Sequence, residues 1–372
     1  MDDSRELALL EAIAREPEAL DAYVVYADWL QQHGALRGDL AALQAASSEQ
    51  ADDEVLGAAA RDHLRAHATY YLGEVRDLLD SPHVELGWRC GFLSSVVFKP
   101  WPGTDESDLG PAAGEVFAAL LRLESARFLT RIAVDSEMRV GLGFVSEVVQ
   151  RAAPATLRRL WIGDRMPSTL AARCQMGDLS GLWSAVPGLL ELGLTGQPSA
   201  LGTLALPQLR HATLWLSAAS DAERTRLMRA VAEADWPRLE RLRVWDGHSP
   251  ALVASLLARD DLVTLGDVGI INCAFADHAC ALFAEAPLAP QLTRISLARG
   301  ALTDAGAHVL LANRAAFPNL ETLDVSSTLL SSGMVEALRR VVPTVISDHL
   351  RVGGRGIQFG TAPGLDPQYD DD

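Results

Sequence analysis

The sequence predicts an α/β solenoid: short parallel strands stacked by repetition, each followed by a helix, behind a small all-helical N-terminal domain. Three observations predict it. The spacing L-x-x-L-x-L is met by Leu292, Ile295 and Leu297, and again by Leu320, Leu323 and Val325, 28 residues later. The stretch between them, LTDAGAHVLLAN, has the grammar of a helix, with Thr303 as its cap and Ala307, Leu310 and Leu311 on one face. Residues 4 to 46, by contrast, carry helical periodicity and none of this strand spacing. A strand, a turn, a helix and a return make the unit of a leucine-rich repeat. Such a unit cannot bury its apolar face alone, so it requires neighbours of the same kind.

In the N-terminal part, Leu7, Leu10, Ile13 and Ala14 mark one helical face, and Pro17 ends it. A second run, from Asp21 through Leu30, stops at Gly34, and Leu36 to Ala46 opens a third. Residues 47 to 60 are polar and acidic and read as a connection; Asp62 to Leu79 then read as one amphipathic helix ended by Ser81-Pro82. The period changes at VELGWRCGFLSSVVF, residues 84 to 98, where two β-rich pieces surround Gly87 and Gly91. They read as the first solenoid strand and its cap, followed by a turn at Trp101-Pro-Gly.

Strand signatures then begin at Leu129, Leu157, Leu189, Leu209, Leu239, Leu265, Leu292 and Leu320, with a last, degenerate strand at Val342-Val345. From Leu239 onward the steps are 26, 27 and 28 residues, which leaves room for a helix of two to three turns. The step from Leu189 to Leu209 has no helical run and predicts an extended or loop-only segment. The longer step before it contains Pro167, Cys174 and the insertion-like MGDLSGLWSAVP. Helices are expected over 109–123, 144–153, 221–234, 251–258, 276–286, 304–314 and 331–341, several of them followed by a proline that stops the helix. The last residues, 351–372, are rich in Gly, Pro and Asp and read as a flexible acidic tail. The domains expected are therefore a helical module over 1–83, a solenoid over 84–350 and that tail.

Composition sets outer limits. With 372 residues, 49% hydrophobic and 22% charged, the chain is a folded one, and its net charge of -17 opposes nucleic acid and anionic lipid. Four irregularly spaced cysteines give no disulfide framework and suit a reducing compartment. The start, MDDSREL, has no signal-peptide pattern, and no stretch is apolar for long enough to span a membrane. A cytoplasmic protein is the expectation.

The segment VYADWLQQHGALRGDLAALQ, with its YADWL, its glycine four residues after Leu30, its Arg37-Gly38 and its Leu43-Gln44, resembles the bacterial repeat-companion domain, a short helical module found at the N-terminus of many leucine-rich repeat proteins. Residues 157 to 349 also resemble bacterial leucine-rich repeat proteins whose C-terminal unit runs LTDAGA, NLETLDVSS and a MVEALRRVVP helix. These resemblances imply a ribonuclease-inhibitor-like horseshoe and no chemistry. Asp28 and Arg37 are the polar residues of the first motif. A structural ion pair or cap is the favoured reading of them, and a catalytic acid with an anion clamp the other.

Catalytic grammar is sparse: the sequence has no P-loop, no dinucleotide glycine fingerprint, no G-x-S-x-G and no H-E-x-x-H. Cys273, His278 and Cys280 fit no common zinc spacing, and Cys273 falls on a core position of the repeat, so neither a metal nor a cofactor is expected. The stronger lead is geometric. In an L-x-x-L-x-L strand the alternate residues point to the concave face. Down the stack these include Arg159, Trp161, Trp215, Arg241, Arg243 and Trp245, residue types enriched at binding hot spots. They form either a partner-binding face or a ladder in which tryptophans pack on adjacent strands and arginines pair with neighbouring acids.

The reading is a non-enzymatic protein-interaction or adaptor protein that takes a protein partner, not nucleic acid or membrane, on these six residues. Two alternatives stand beside it: a regulatory subunit or inhibitor whose acidic tail docks on the Arg/Trp face, and an enzyme with its site at Asp28 and Arg37.

Overall fold

The computed structural model describes residues 2–49, 54–99, 109–135, 141–164, 174–245 and 250–348. The Trp101-Pro-Gly turn, Pro167 and the acidic tail lie outside them. The chain forms two compact units, Met1–Gly163 with Ser184–Leu189, and Asp164–Trp183 with Leu190–Asp372. Among the described residues no helix is long and apolar enough to cross a membrane.

The first unit begins with α1 (Asp2–Arg15), α2 (Leu20–Gln32), α3 (Leu36–Glu49), α4 (Glu54–Ala66) and α5 (Ala68–Leu72). Gly34 ends α2 in the left-handed region, φ +65°, while the Ala35 N–H reaches back to the Leu30 carbonyl. Two expectations fail here. The acidic connection is helical from Glu54, and the helix expected from Asp62 to Leu79 breaks at His67 and again at Gly73, beyond which Gly73–Asp80 winds as a 3₁₀ helix. Gly73 has φ +56°, a conformation that stops a regular helix and favours glycine.

Strands β1 (Val84–Arg89) and β2 (Phe92–Phe98) form an antiparallel hairpin. Its two turn residues, Cys90 and Gly91, both have positive φ, as a two-residue turn of matching twist requires. Next come α6 (Leu109–Leu121), β3 (Arg131–Val134), α7 (Gly143–Ala152) and β4 (Arg159–Ile162), with β2, β3 and β4 parallel. The helices do not hold a core of their own: Tyr23, Tyr26, Trp29 and Leu30 pack with Phe92 of the hairpin and with Phe128.

The second unit runs β5 (Gln175–Asp178), β6 (Glu191–Ala200), β7 (His211–Leu216), α8 (Asp221–Ala232), β8 (Arg241–Trp245), α9 (Pro250–Leu257), β9 (Asp267–Ile271), α10 (Ala276–Glu285), β10 (Arg294–Ser296), α11 (Asp304–Ala312), β11 (Thr322–Asp324), α12 (Ser332–Arg339) and β12 (Thr344–Ile346). Strands β6 to β12 are parallel neighbours in sequence order. Every apolar position of the eight strand signatures is buried, from Leu129 to Val325. The repeat spacing is thus the core itself.

The short step near Leu189 is where the repeat changes its return path. In place of a helix, β5 pairs parallel with the second half of β6, through an irregular register at Gly177 opposite Pro198. The insertion-like segment is core: Met176, Leu179, Leu182 and Trp183 are buried, and the Trp183 indole donates to the Leu201 carbonyl at 2.6 Å.

Candidate functional site

The N-terminal motif resolves into a clamp on the hairpin turn. Arg37 is 3% exposed; its guanidinium donates to the Gly91 carbonyl and, at 3.2 Å, to the Ser125 hydroxyl, and it lies 4.4 Å from the centre of the Phe92 ring. Gln44 takes the other half of the same residue, its side-chain oxygen accepting from the Gly91 N–H at 2.8 Å. Arg37 and Gln44 therefore read both backbone groups of Gly91. A Cβ there would stand 2.6 Å from the Arg37 stem. Gly38 serves close packing, since a Cβ would meet the Gln31 backbone at 2.7 Å. Asp28 is exposed on α2. The Asp28–Arg37 ion pair expected from sequence is not made: the guanidinium is turned inward to a turn 54 residues away. With Arg37 shielded, the pair does not form the exposed acid and anion clamp that the catalytic reading needs.

On the second unit, alternate strand residues form rows across the sheet. One row runs Glu191, His211, Arg241, Asp267, Arg294, Thr322 and Thr344. Its polar groups pair with neighbours: His211 lies between Glu191 and Glu240, at 3.6 and 3.8 Å, and Arg241 donates to Asp267 at 3.0 Å. The next row places Arg243 beside Gly269 and Ser296. Arg243 grips Asp267 with both terminal nitrogens, one of them at 2.8 Å. A Cβ at Gly269 would stand 2.6 Å from the Arg243 Cδ, so the missing side chain is what lets the arginine lie across β9.

One further step along the strands, Trp215 and Trp245 stack, with ring centroids 5.3 Å apart and planes 22° apart. Trp215, read from sequence as an outward residue, is only 6% exposed, because the Trp245 indole lies against it. Trp245 itself is half-buried, and the Arg299 guanidinium sits 5.8 Å from its ring centre. Trp215, Arg241, Arg243 and Trp245 are thus brought together on β7 and β8.

Arg159 and Trp161 belong to the first unit. Arg159 donates to Glu18 at 2.8 Å, and Arg89 donates to the Glu18 carbonyl at 2.7 Å, so two arginines hold the loop between α1 and α2 against the strands. Trp161 is half-buried beside Ala133, its indole N–H shielded and without an acceptor among the described residues. The alternation also turns Asp267 and Arg294 outward, but the sequence did not single them out; Asp267 stands opposite Arg241, and Arg294 opposite Asp267.

The Cys273-x4-His278-x-Cys280 run does not converge. Both thiols are fully buried, burial pushes the Cys280 thiol up to about 12, and His278 is exposed. Among the described residues no three His, Cys, Asp or Glu side chains are grouped to hold a metal ion.

No protein-family model matches the chain, and no curated protein matches it. Among solved structures, the chain is similar to a Bacteroides fragilis protein from a structural genomics programme, with a TM-score of 0.56 at 20% identity over 67% of this chain and 72% of that one. More distant are the yeast Rad7–Elc1 complex, with a TM-score of 0.37 at 15% identity over 62% of this chain and 59% of that one, and a leucine-rich repeat protein of Leptospira interrogans, with a TM-score of 0.30 at 15% identity over 62% and 50%. The Bacteroides fragilis structure shares this chain's fold. With its buried L-x-x-L-x-L register and strand–helix units, the chain has a leucine-rich-repeat-like fold.

Proposed function

We propose that the chain is a non-enzymatic interaction scaffold that holds a protein partner on the outward strand face of the second unit, the inner wall of an α/β solenoid, around Trp215, Trp245, Arg241 and Arg243. The observation that carries this reading is the indole stack: two tryptophans lie together on a strand face, next to arginines, with Trp245 still half open to solvent. Tryptophan and arginine in a partly desolvated cluster are the residues that dominate binding energies at protein interfaces. Seven parallel neighbouring strands fix their backbone, so little ordering entropy is lost on association. Arg159 and Trp161 supply a second patch of the same composition on the first unit.

The test is quantitative capture from a native lysate with wild-type chain, Trp245→Ala, and Val263→Ala as a control on an exposed position elsewhere. The expected result is one partner recovered equally by wild type and control and reduced at least about tenfold by Trp245→Ala, a loss of about 1.4 kcal/mol. Equal recovery by all three chains refutes the proposal.

A further inference from the structure

We infer that the arginine cluster on β8, β9 and β10 is an anion-binding subsite for the carboxylates of an acidic segment of a partner protein; this rests on reading the strand face of the second unit as the interaction surface. Arg241, Asp267 and Arg294 stand side by side across three strands. The single carboxylate of Asp267 is shared by Arg241 and Arg243. Arg294, on its other side, makes no ion pair among the described residues, and its Nε is shielded from water without an acceptor. The next acid along this face, Asp324, is committed to the Ser296 hydroxyl and to the N–H and hydroxyl of Ser326. Three arginines on β8 and β10 therefore flank the strand that carries Asp267, whose one carboxylate is taken up by two of them, so arginines outnumber acids at this place.

That excess runs against the chain as a whole, which carries -17. At physiological salt, charges more than about 8 Å apart are largely screened, so a short anionic group at this place meets the arginines and not the distant acids. A long polyanion would run onto the acidic surface beyond. Guanidinium forks match carboxylates in a bidentate geometry, and the Arg294 guanidinium has no carboxylate of its own among the described residues. The Trp215–Trp245 stack lies two residues further along the strand than Arg243, about 7 Å away at strand spacing. The ligand that fits both features is a protein segment with acidic side chains next to an aromatic or apolar one. Charge complementarity at this place, set against the sign of the whole chain, is what selects it.

The experiment is fluorescence anisotropy on the full chain with three labelled probes: the peptide (Glu-Glu-Phe)3, its counterpart (Gln-Gln-Phe)3, and a twelve-residue oligothymidylate. The chains are wild type, Arg294→Gln, Arg294→Lys and Arg339→Gln, the last replacing an arginine on α12. Wild type and Arg339→Gln should bind the glutamate peptide equally, Arg294→Gln about tenfold more weakly, and Arg294→Lys in between. The glutamine peptide should bind at least tenfold more weakly than the glutamate peptide. Equal affinity of wild type and Arg294→Gln, equal affinity for the two peptides, or tighter binding of the oligothymidylate overturns the inference. Peptide binding that appears only when residues 357–372 are removed would assign the subsite to the chain's own acidic end, and so would also overturn it. A captured partner that is lost with Trp245→Ala and kept with Arg294→Gln removes this inference and leaves the interaction face standing.

Discussion

Replacing Asp277 by alanine tests how one repeat is locked to the next. Its carboxylate accepts from the Thr303 N–H at 2.7 Å and from the Thr303 hydroxyl at 2.6 Å. Thr303 is the N-cap of α11, and its hydroxyl also accepts from the Ala305 N–H. The device recurs one repeat later, where Asp304 takes the N–H and hydroxyl of Ser331, the N-cap of α12. Gly306 permits the approach, since a Cβ there would stand 2.4 Å from the Asp277 carboxylate. Hydrogen bonds to a charged acceptor contribute about 1.5–3 kcal/mol each when shielded. These are half-buried, so about 1 kcal/mol each is the working figure. Asp277→Ala should then cost about 2 kcal/mol, and Thr303→Ala about 2 kcal/mol, half from the lost cap and half from the lost bond to Asp277. The double variant should cost about 3 kcal/mol, which leaves a coupling of about 1 kcal/mol between the two side chains. The assay is urea unfolding with a shared m-value, together with hydrogen exchange at the Thr303 amide, which should accelerate in Asp277→Ala. A coupling below about 0.3 kcal/mol, within the error expected of independent sites, refutes the reasoning.

Two further predictions follow from the first unit and from the same ladder. Arg37→Ala leaves the Gly91 carbonyl and the Ser125 hydroxyl without their donor and opens a void under Phe92, so it should cost about 3 kcal/mol in chemical unfolding, whereas exposed Asp28→Asn should stay within about 0.5 kcal/mol; similar costs would show that the motif is not a clamp. The Ser331 N–H and hydroxyl hold the Asp304 carboxyl below its usual value of 3.8, so its contribution to stability is complete above the ordinary carboxylate range and is lost as pH falls through the lowered value; Asp304→Asn should flatten the acid limb of the stability curve, and an unchanged slope would count against it.

Much of the fold was legible in the chain because periodicity is a backbone constraint read locally. A strand alternates its faces every residue and a helix returns every 3.6, so L-x-x-L-x-L marked the buried positions of each strand, and Thr303 marked a helix start. The misses have a different character. The helix read over Asp62–Leu79 was periodic enough, yet Gly73 adopted a conformation that a hydrophobic pattern does not encode. The short repeat near Leu189 announced the absence of a helix, and the strand that fills its place came from residues earlier in the chain. At the candidate site, Trp215, Arg241, Arg243 and Trp245 followed from the alternation, although Trp215 proved buried, while Asp267 gained its meaning only from the two arginines its carboxylate reached.

By itself, then, the sequence determined the repeat, its buried register and the presence of tryptophan and arginine on one strand face, since each of these depends on neighbours a few residues away. The tertiary structure alone decided which long side chains meet. It turned Arg37 to a hairpin 54 residues distant, tied Asp277 to a cap 26 residues on, and closed Trp245 over Trp215. It also gave one aspartate to two arginines and left a third beside them without one. Such pairings depend on strand register and on competition among partners of equal chemistry, and that competition is settled only when the repeats stack.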